Sequence, residues 1–192
     1  VASFTSFSSR EAPISGCANI STSATLAQDA TSNGTCFTIG ANNVVLDCDG
    51  FAIFYDQDGT GGDGVVAVNR TNVTIKGCII RDINVSGAFG IGVNFTNASN
   101  SVIVNNSIFT NGTNNNFGII LFTTAATNVV ENNTIATRGN ESLNLGIYSL
   151  NSNNNNISNN TITTNGTNNN EGIRLETSSD NNRVTNNTIR TS

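Results

Sequence analysis

Three stretches hold residues whose types and spacing could do chemistry. Asp56, Asp58 and Asp63 stand in the pattern Asp-x-Asp-Gly-x-Gly-x-Asp. Several carboxylates on a glycine-flexible loop suit the oxygen-only coordination of calcium. The loop lacks the glutamate at the twelfth position that completes an EF-hand, and a plain acidic turn is the competing reading. Glu171 and Glu176 flank Gly172-Ile173-Arg174-Leu175, with Arg174 at an outward position between them. A carboxylate–arginine patch could serve a lyase, the arginine taking a proton beside a calcium-bound uronate; a solvated face is the simpler reading. Acid–base hydrolysis needs two closely placed carboxylates. The other acids between residues 99 and 192 are only Glu131, Glu141 and Asp180, and the chain has no histidine. No catalytic residue is assigned. Finally, Cys17, Cys36, Cys48 and Cys78 are even in number and show no Cys-x-x-Cys metal spacing, which favours disulfides.

These residues must be positioned by a repeat. Asn105-Asn106-Ser107-Ile108 returns as Asn132-Asn133-Thr134-Ile135, Asn159-Asn160-Thr161-Ile162 and Asn186-Asn187-Thr188-Ile189. Two residues before each copy sits an apolar β-former: Ile103, Val130, Ile157 or Val184. A second marker nearly keeps step, as Gly90-Ile91, Gly118-Ile119, Gly146-Ile147 and Gly172-Ile173. The segment TNGTNNN occurs twice, at 110–116 and 164–170. Short β-type segments recurring every 27 residues or so signal a solenoid. Alternation along each strand predicts Ile119 and Leu121 inside, Ile120 and Phe122 outside. Asparagine tolerates the left-handed backbone of a bend, and its amide can bond the asparagine one coil away.

The segment Val44-Val45-Leu46-Asp47-Cys48-Asp49-Gly50-Phe51-Ala52-Ile53, entered through a cysteine-flanked stretch, resembles the entry turns of the parallel β-helix repeat (CASH) family. The resemblance spans roughly residues 17–192, with Gly64-Val65 adding a fifth glycine marker. It implies a right-handed, single-stranded parallel β-helix of the pectate-lyase-like group, all-β, with coils of about 27 residues. That family includes lyases, hydrolases, epimerases and non-catalytic surface proteins, so no activity follows from it. In that fold Cys48 and Cys78, 30 residues apart, fall on adjacent coils about 4.8 Å apart. The expected pairs are Cys17–Cys36 and Cys48–Cys78.

Composition narrows the partners. Charged residues make up 11%, net charge is −5 and Lys76 is the single lysine, which argues against nucleic acid. No apolar run reaches membrane-spanning length. The 36 asparagines could mark prion-like disorder, but the fixed period and the Ile/Val/Leu columns argue otherwise. Fifteen Asn-x-Ser/Thr sequons and four cysteines favour an extracellular or cell-surface setting. Glycans are expected on Asn33, Asn84, Asn97, Asn111, Asn140 and Asn165, in polar loops. Asn105, Asn132, Asn159 and Asn186 are expected to be tied up in an internal ladder, and Asn69, Asn72 and Asn94 are left open.

The chain divides into an arm (1–16), a cap with entry turns (17–53) and the coils (54–192). It begins at Val1, as a mature product or a fragment would. The leading expectation is a secreted, N-glycosylated structural protein that self-assembles head to tail. Phe4 and Phe7 of the arm would enter a groove on the next copy by strand addition. The rival is a carbohydrate-active enzyme or glycan-binding adhesin on the same fold, for which the sequence names no aromatic platform: Tyr55 and Tyr148 lie far apart and tryptophan is absent. Rows of outward threonine at Thr110, Thr137 and Thr164 lack the strict Thr-x-Thr pattern of ice-binding solenoids.

Overall fold

The computed structural model describes residues 12–84, 89–141 and 143–192. Its strands form three parallel sheets of eight, seven and seven strands, and from Ala24–Leu26 onward the chain visits them in turn, one strand of each per coil. Sheet 1 runs from Ala12–Ile14 to Arg183–Thr185, sheet 2 from Ala30–Thr31 to Thr188–Thr191, and sheet 3 from Ala18–Ile20 to Glu171–Glu176. The architecture is the expected β-solenoid, with about six turns. Strands on the two sides of residue 54 pair with one another. Ala12–Ile14 already pairs with Ala24–Leu26 in sheet 1, and Phe37–Ile39 pairs with Gly62–Val68 in sheet 3. The entry strands are short, but they stack like the rest. Phe4 and Phe7 lie outside the described residues.

Inward residues form columns one coil apart. Ile53, Ile80, Ile108, Ile135 and Ile162 align in sheet 2, and Ile75, Ile103, Val130 and Ile157 in sheet 1. All are at most 1% exposed, so each coil supplies the apolar cross-section its neighbours need. Ile119 and Leu121 are buried and Phe122 is 37% exposed, as alternation requires, whereas Ile120, expected outside, is buried at 9% exposure. Thr110, Thr137 and Thr164 have the inward parity of sheet 2 and are fully buried, so they form no outward row.

The repeated asparagine pair turns the corner from sheet 1 to sheet 2. Its first member takes the left-handed backbone, φ 56° at Asn105 and Asn132, 57° at Asn159 and 55° at Asn186. Its second member points inward. Asn133 Oδ1 accepts from Asn106 N and Nδ2, while its own Nδ2 donates to Ile103 O and Asn160 Oδ1. Both donors and both lone pairs of a buried amide are therefore used. The internal ladder is thus Asn106, Asn133, Asn160 and Asn187; Asn105, Asn132, Asn159 and Asn186 are exposed, correcting the expectation that they would be tied up inside.

The glycine marker also needs correcting by two residues. Register aligns Val65, Val93, Ile119, Ile147 and Ile173, so the partner of Gly118 is Gly92 and not Gly90. At Gly118 a Cβ would lie 2.3 Å from Ile135 Cγ2 and 2.6 Å from Gly146 O. The glycine lets sheet 3 close against the corner where it meets sheet 2. Both expected disulfides are present, with Cα–Cα distances of 4.5 Å for Cys17–Cys36 and 4.7 Å for Cys48–Cys78.

Candidate functional site

The outer face of sheet 3 carries a platform. Gly118 and Ile119 both turn inward, which throws Phe117 to the outside. There it meets Tyr148 of the next coil, ring centroids 5.7 Å apart and planes inclined by 19°. The Arg174 guanidinium, one coil further on, lies 6.0 Å from the centre of the Tyr148 ring. Tyr148 Oη donates to Glu176 Oε2 at 2.9 Å, and Arg174 Nε reaches the same oxygen at 3.1 Å. Glu171 Oε1 sits 3.8 Å from Arg174 Nη1. Burial, and then the hydrogen bond to Glu176, raise the Tyr148 phenol above its ordinary value, so it stays a donor. Phe122 extends the apolar surface on the Phe117 strand, and Leu150 does so beside Tyr148.

The structure therefore brings Glu171, Arg174 and Glu176 together, and adds Phe117 and Tyr148. Chemically, both carboxylates converge on one guanidinium. They do not face each other across an open space, as an acid and base attacking one bond would. A ring pair beside hydrogen-bonding groups is instead suited to stacking on a flat ligand and gripping its rim.

Asp56, Asp58 and Asp63 are not brought to one point. Asp56 is buried and accepts from Gly61 N at 2.8 Å. Asp58 turns outward and is capped by Thr60 N and Oγ1. Asp63 leaves the loop on a sheet 3 strand and accepts from Asn94 Nδ2. Among the described residues no three His, Cys, Asp or Glu side chains are grouped to hold a metal. The loop's short reverse turn uses the Asp56 and Asp58 carboxylates for its own residues, and Asp63 is engaged by the next coil, so the calcium expectation finds no geometry here. What the sequence did not suggest is Asp82, one coil from Tyr55 and 2% exposed. Burial, offset by the Asn84 amide and reinforced by the Asp56 charge, pushes Asp82 up to about 7. Burial likewise pushes Asp63 to about 6, against the bond from Asn94. Tyr55 beside them is fully buried, its hydroxyl without a hydrogen-bond partner among the described residues and its pKa raised by burial and by these acids.

A family model described as right handed beta helix region matches residues 52–189. The chain belongs to this right-handed β-helix family. Comparison with curated protein sequences gives no match. Among solved structures, the crystal structure of the periplasmic alginate epimerase AlgG is similar, with TM-score 0.48 and 10% identity over 88% of this chain and 51% of that one. The chain thus spans about half of that protein's length.

The β-helix sorts the sequons by exposure. Asn33 and Asn140 are exposed in turns, and Asn97 is exposed with its Nδ2 donating to Asn69 Oδ1. Asn84 is half-buried and donates to Gln57 O. Asn111 and Asn165 lie on strands of sheet 2, Ser107–Gly112 and Thr161–Asn165, and not in loops. Both hold outward positions, Asn165 exposed and Asn111 half-buried.

Proposed function

We propose that this β-helix is a saccharide-binding protein whose ligand lies across the outer face of sheet 3. The observation that carries the reading is the stacked Phe117–Tyr148 pair with Arg174 and Glu176 at its edge. Sugar rings offer an apolar C–H face to aromatic rings and hydroxyls to charged hydrogen-bonding groups at the rim. Binding fits better than bond cleavage, because Glu176 and Glu171 are both turned to Arg174. The two disulfides fit an oxidising compartment outside the cytosol, where such ligands occur. The test is a titration of the folded chain with a panel of neutral and charged oligosaccharides, using Tyr148→Ala as the variant. Tyr148→Ala should weaken binding at least tenfold with the fold intact; a wild-type chain that binds no saccharide would end the reading.

Self-assembly is a second reading, and one observation favours it. Leu175, Val184 and Ile189 hold inward register positions in the last coil yet are 40%, 41% and 44% exposed. A second copy stacked head to tail would cover them, as would further chain of the same protein. Light scattering over a hundredfold concentration range, followed by electron microscopy, checks it: a concentration-independent monomer rules it out. N-glycosylation is proposed first at Asn33 and Asn140, whose side chains are exposed in turns. Glycopeptide mapping of the native protein decides it.

A further inference from the structure

The outer face of sheet 2 differs from every other surface of the β-helix. Phe54, Arg81 and Phe109 stand on successive coils in one register column, which continues through Ala136 and Thr163 to Arg190. Arg138, two residues along its strand, folds back so that its guanidinium lies 5.4 Å from the centre of the Phe109 ring. Arg81, Arg138 and Arg190 are exposed, and none makes an ion pair among the described residues. Asp82, the sole acid on the described strands of this sheet, points inward and is buried. Three of the eight basic residues of a chain with net charge −5 thus share one face free of negative charge.

The spacing is regular. The three arginines lie on alternate coils, in strands Ile79–Asp82, Thr134–Gly139 and Thr188–Thr191, with one strand between each pair. At about 4.8 Å per strand the arginine-bearing strands recur roughly every 10 Å along the axis, with the Arg138 guanidinium turned back toward the Phe109 coil. A nucleic-acid strand carries a charge about every 3.4 Å and would leave most phosphates unmatched. A linear saccharide with one acidic group per disaccharide has a repeat of the same order as the arginines, and its rings can stack on Phe54 and Phe109. The cations are all arginine. A guanidinium is weakly hydrated and grips carboxylates and tetrahedral oxyanions alike in a bidentate manner, so hydration and not geometry separates them. On an exposed face it therefore favours the weakly hydrated sulfate ester over the more strongly hydrated carboxylate.

We propose that the outer face of sheet 2 is a second binding surface, for a linear sulfated saccharide lying along the helix axis. This surface is separate from the platform on sheet 3 and does not depend on it. The test uses the full chain with sulfated cello-oligosaccharides, their unsulfated parents, polygalacturonate oligomers and single-stranded DNA. Expected are binding of the sulfated form at least tenfold tighter than the other three, weakening with salt. Arg81→Gln combined with Arg138→Gln should cost at least tenfold on the sulfated ligand, whereas Arg183→Gln, at an exposed arginine of sheet 1, leaves it unchanged. These exposed positions carry no core packing, and circular dichroism of the variant verifies its fold. Equal binding of the unsulfated parent, or no loss in the arginine variant, overturns the proposal. Tighter binding of polygalacturonate or DNA overturns the sulfated occupant. Loss in Tyr148→Ala alone would move the ligand to sheet 3.

Discussion

The entry coils, residues 17–84, and the regular coils from Ser99 onward have the same architecture but are held together by different means. In the regular coils the corner between sheets 1 and 2 is filled by Asn106, Asn133, Asn160 and Asn187; the first three amides bond to the coils on both sides and Asn187 to the coil before it. Followed toward the N-terminus, this column does not stop. Cys78 takes the next position, its N–H donating to Asn106 Oδ1, and its sulfur is joined to Cys48. Gly77, φ 63°, stands where the later coils have their left-handed asparagine. Beside it, Lys76 and Asp47 form an ion pair at 2.9 Å between adjacent strands. Burial works against the Asp47 anion, but the Lys76 bond and the Asp49 amide outweigh it and hold its pKa below the ordinary value. Where coils repeat closely, an amide stack suffices; where they diverge, a covalent bond replaces it.

The comparison is tested most severely by Gly118→Ala. The new Cβ would collide with Gly146 O and Ile135, atoms of the next strand and of the core. A loss of about 4 kcal/mol is expected in urea unfolding. Gly50→Ala in the entry coils, at φ 86° but with open space around it, should cost only about 1 kcal/mol. If both substitutions cost the same, the regular coils are not the more tightly packed. Asn133→Ala comes next: it removes the acceptor of Asn106 N and the amide's bonds to Ile103 O, Asn106 Nδ2 and Asn160 Oδ1, at about 3 kcal/mol. Its exposed neighbour, in Asn132→Ala, loses only the left-handed preference, about 1 kcal/mol, and thermal melts of the pair show whether the ladder is the second asparagine.

Removing the second disulfide by Cys48→Ala with Cys78→Ala opens a loop with sequence separation 30 and should cost about 2–3 kcal/mol. Hydrogen exchange should then rise around residues 45–82 and leave the Asn133 ladder protected; uniform loosening would mean the two regions are not independently held. The smallest effect is on pH dependence. Asp82, at about 7 in the folded chain, sits above its unfolded value, so the native state binds the extra proton. Its stabilising contribution is complete below about pH 4, falls as pH rises to about 7 and is flat beyond. Asp63, at about 6, acts in the same sense. Asp82→Asn should flatten roughly 1–2 kcal/mol of that slope, read from denaturation midpoints at pH 4.5 and 7.5.

The 27-residue repeat made the coils legible because period and strand parity are local properties. Ile119, Leu121 and Phe122 could be placed by counting alone. The site was harder to see for a specific reason. Phe117 has the parity of Ile119 and reads as a core residue until Gly118 is known to face inward as well. Its partner Tyr148 lies 31 residues on, diagonal to the coil register, so no fixed spacing pairs them. The same limit misplaced Gly90 against Gly92, since Gly90-Ile91-Gly92-Val93 satisfies the marker twice and only packing against Ile108 chooses. The aspartates of residues 56–63 looked like ligands because composition gives donor types and not their directions; Asp58 turns away from Asp56. The arginines of sheet 2 fell out of sight because corner lengths vary between coils, and only pairing places Arg81 between Phe54 and Phe109.

The amide stack also gives the column a grain. In parallel sheets backbone N–H groups point both ways along the axis, and their dipoles largely cancel. In two buried files the side-chain amides do not alternate: Asn106 donates to Asn133, Asn133 to Asn160 and Asn160 to Asn187, while Asn116 donates to Asn144 and Asn144 to Asn170. Every link in both files carries its donor toward the C-terminal side, so each polarises the next in the same sense. The two ends of such a stack are chemically unlike, one presenting amide oxygens and the other amide hydrogens. Lengthening it by whole coils keeps every link, whereas turning a single coil end over end would set hydrogen against hydrogen on one side and oxygen against oxygen on the other. The direction is thus a conserved vector of the molecule, renewed at each turn by one asparagine.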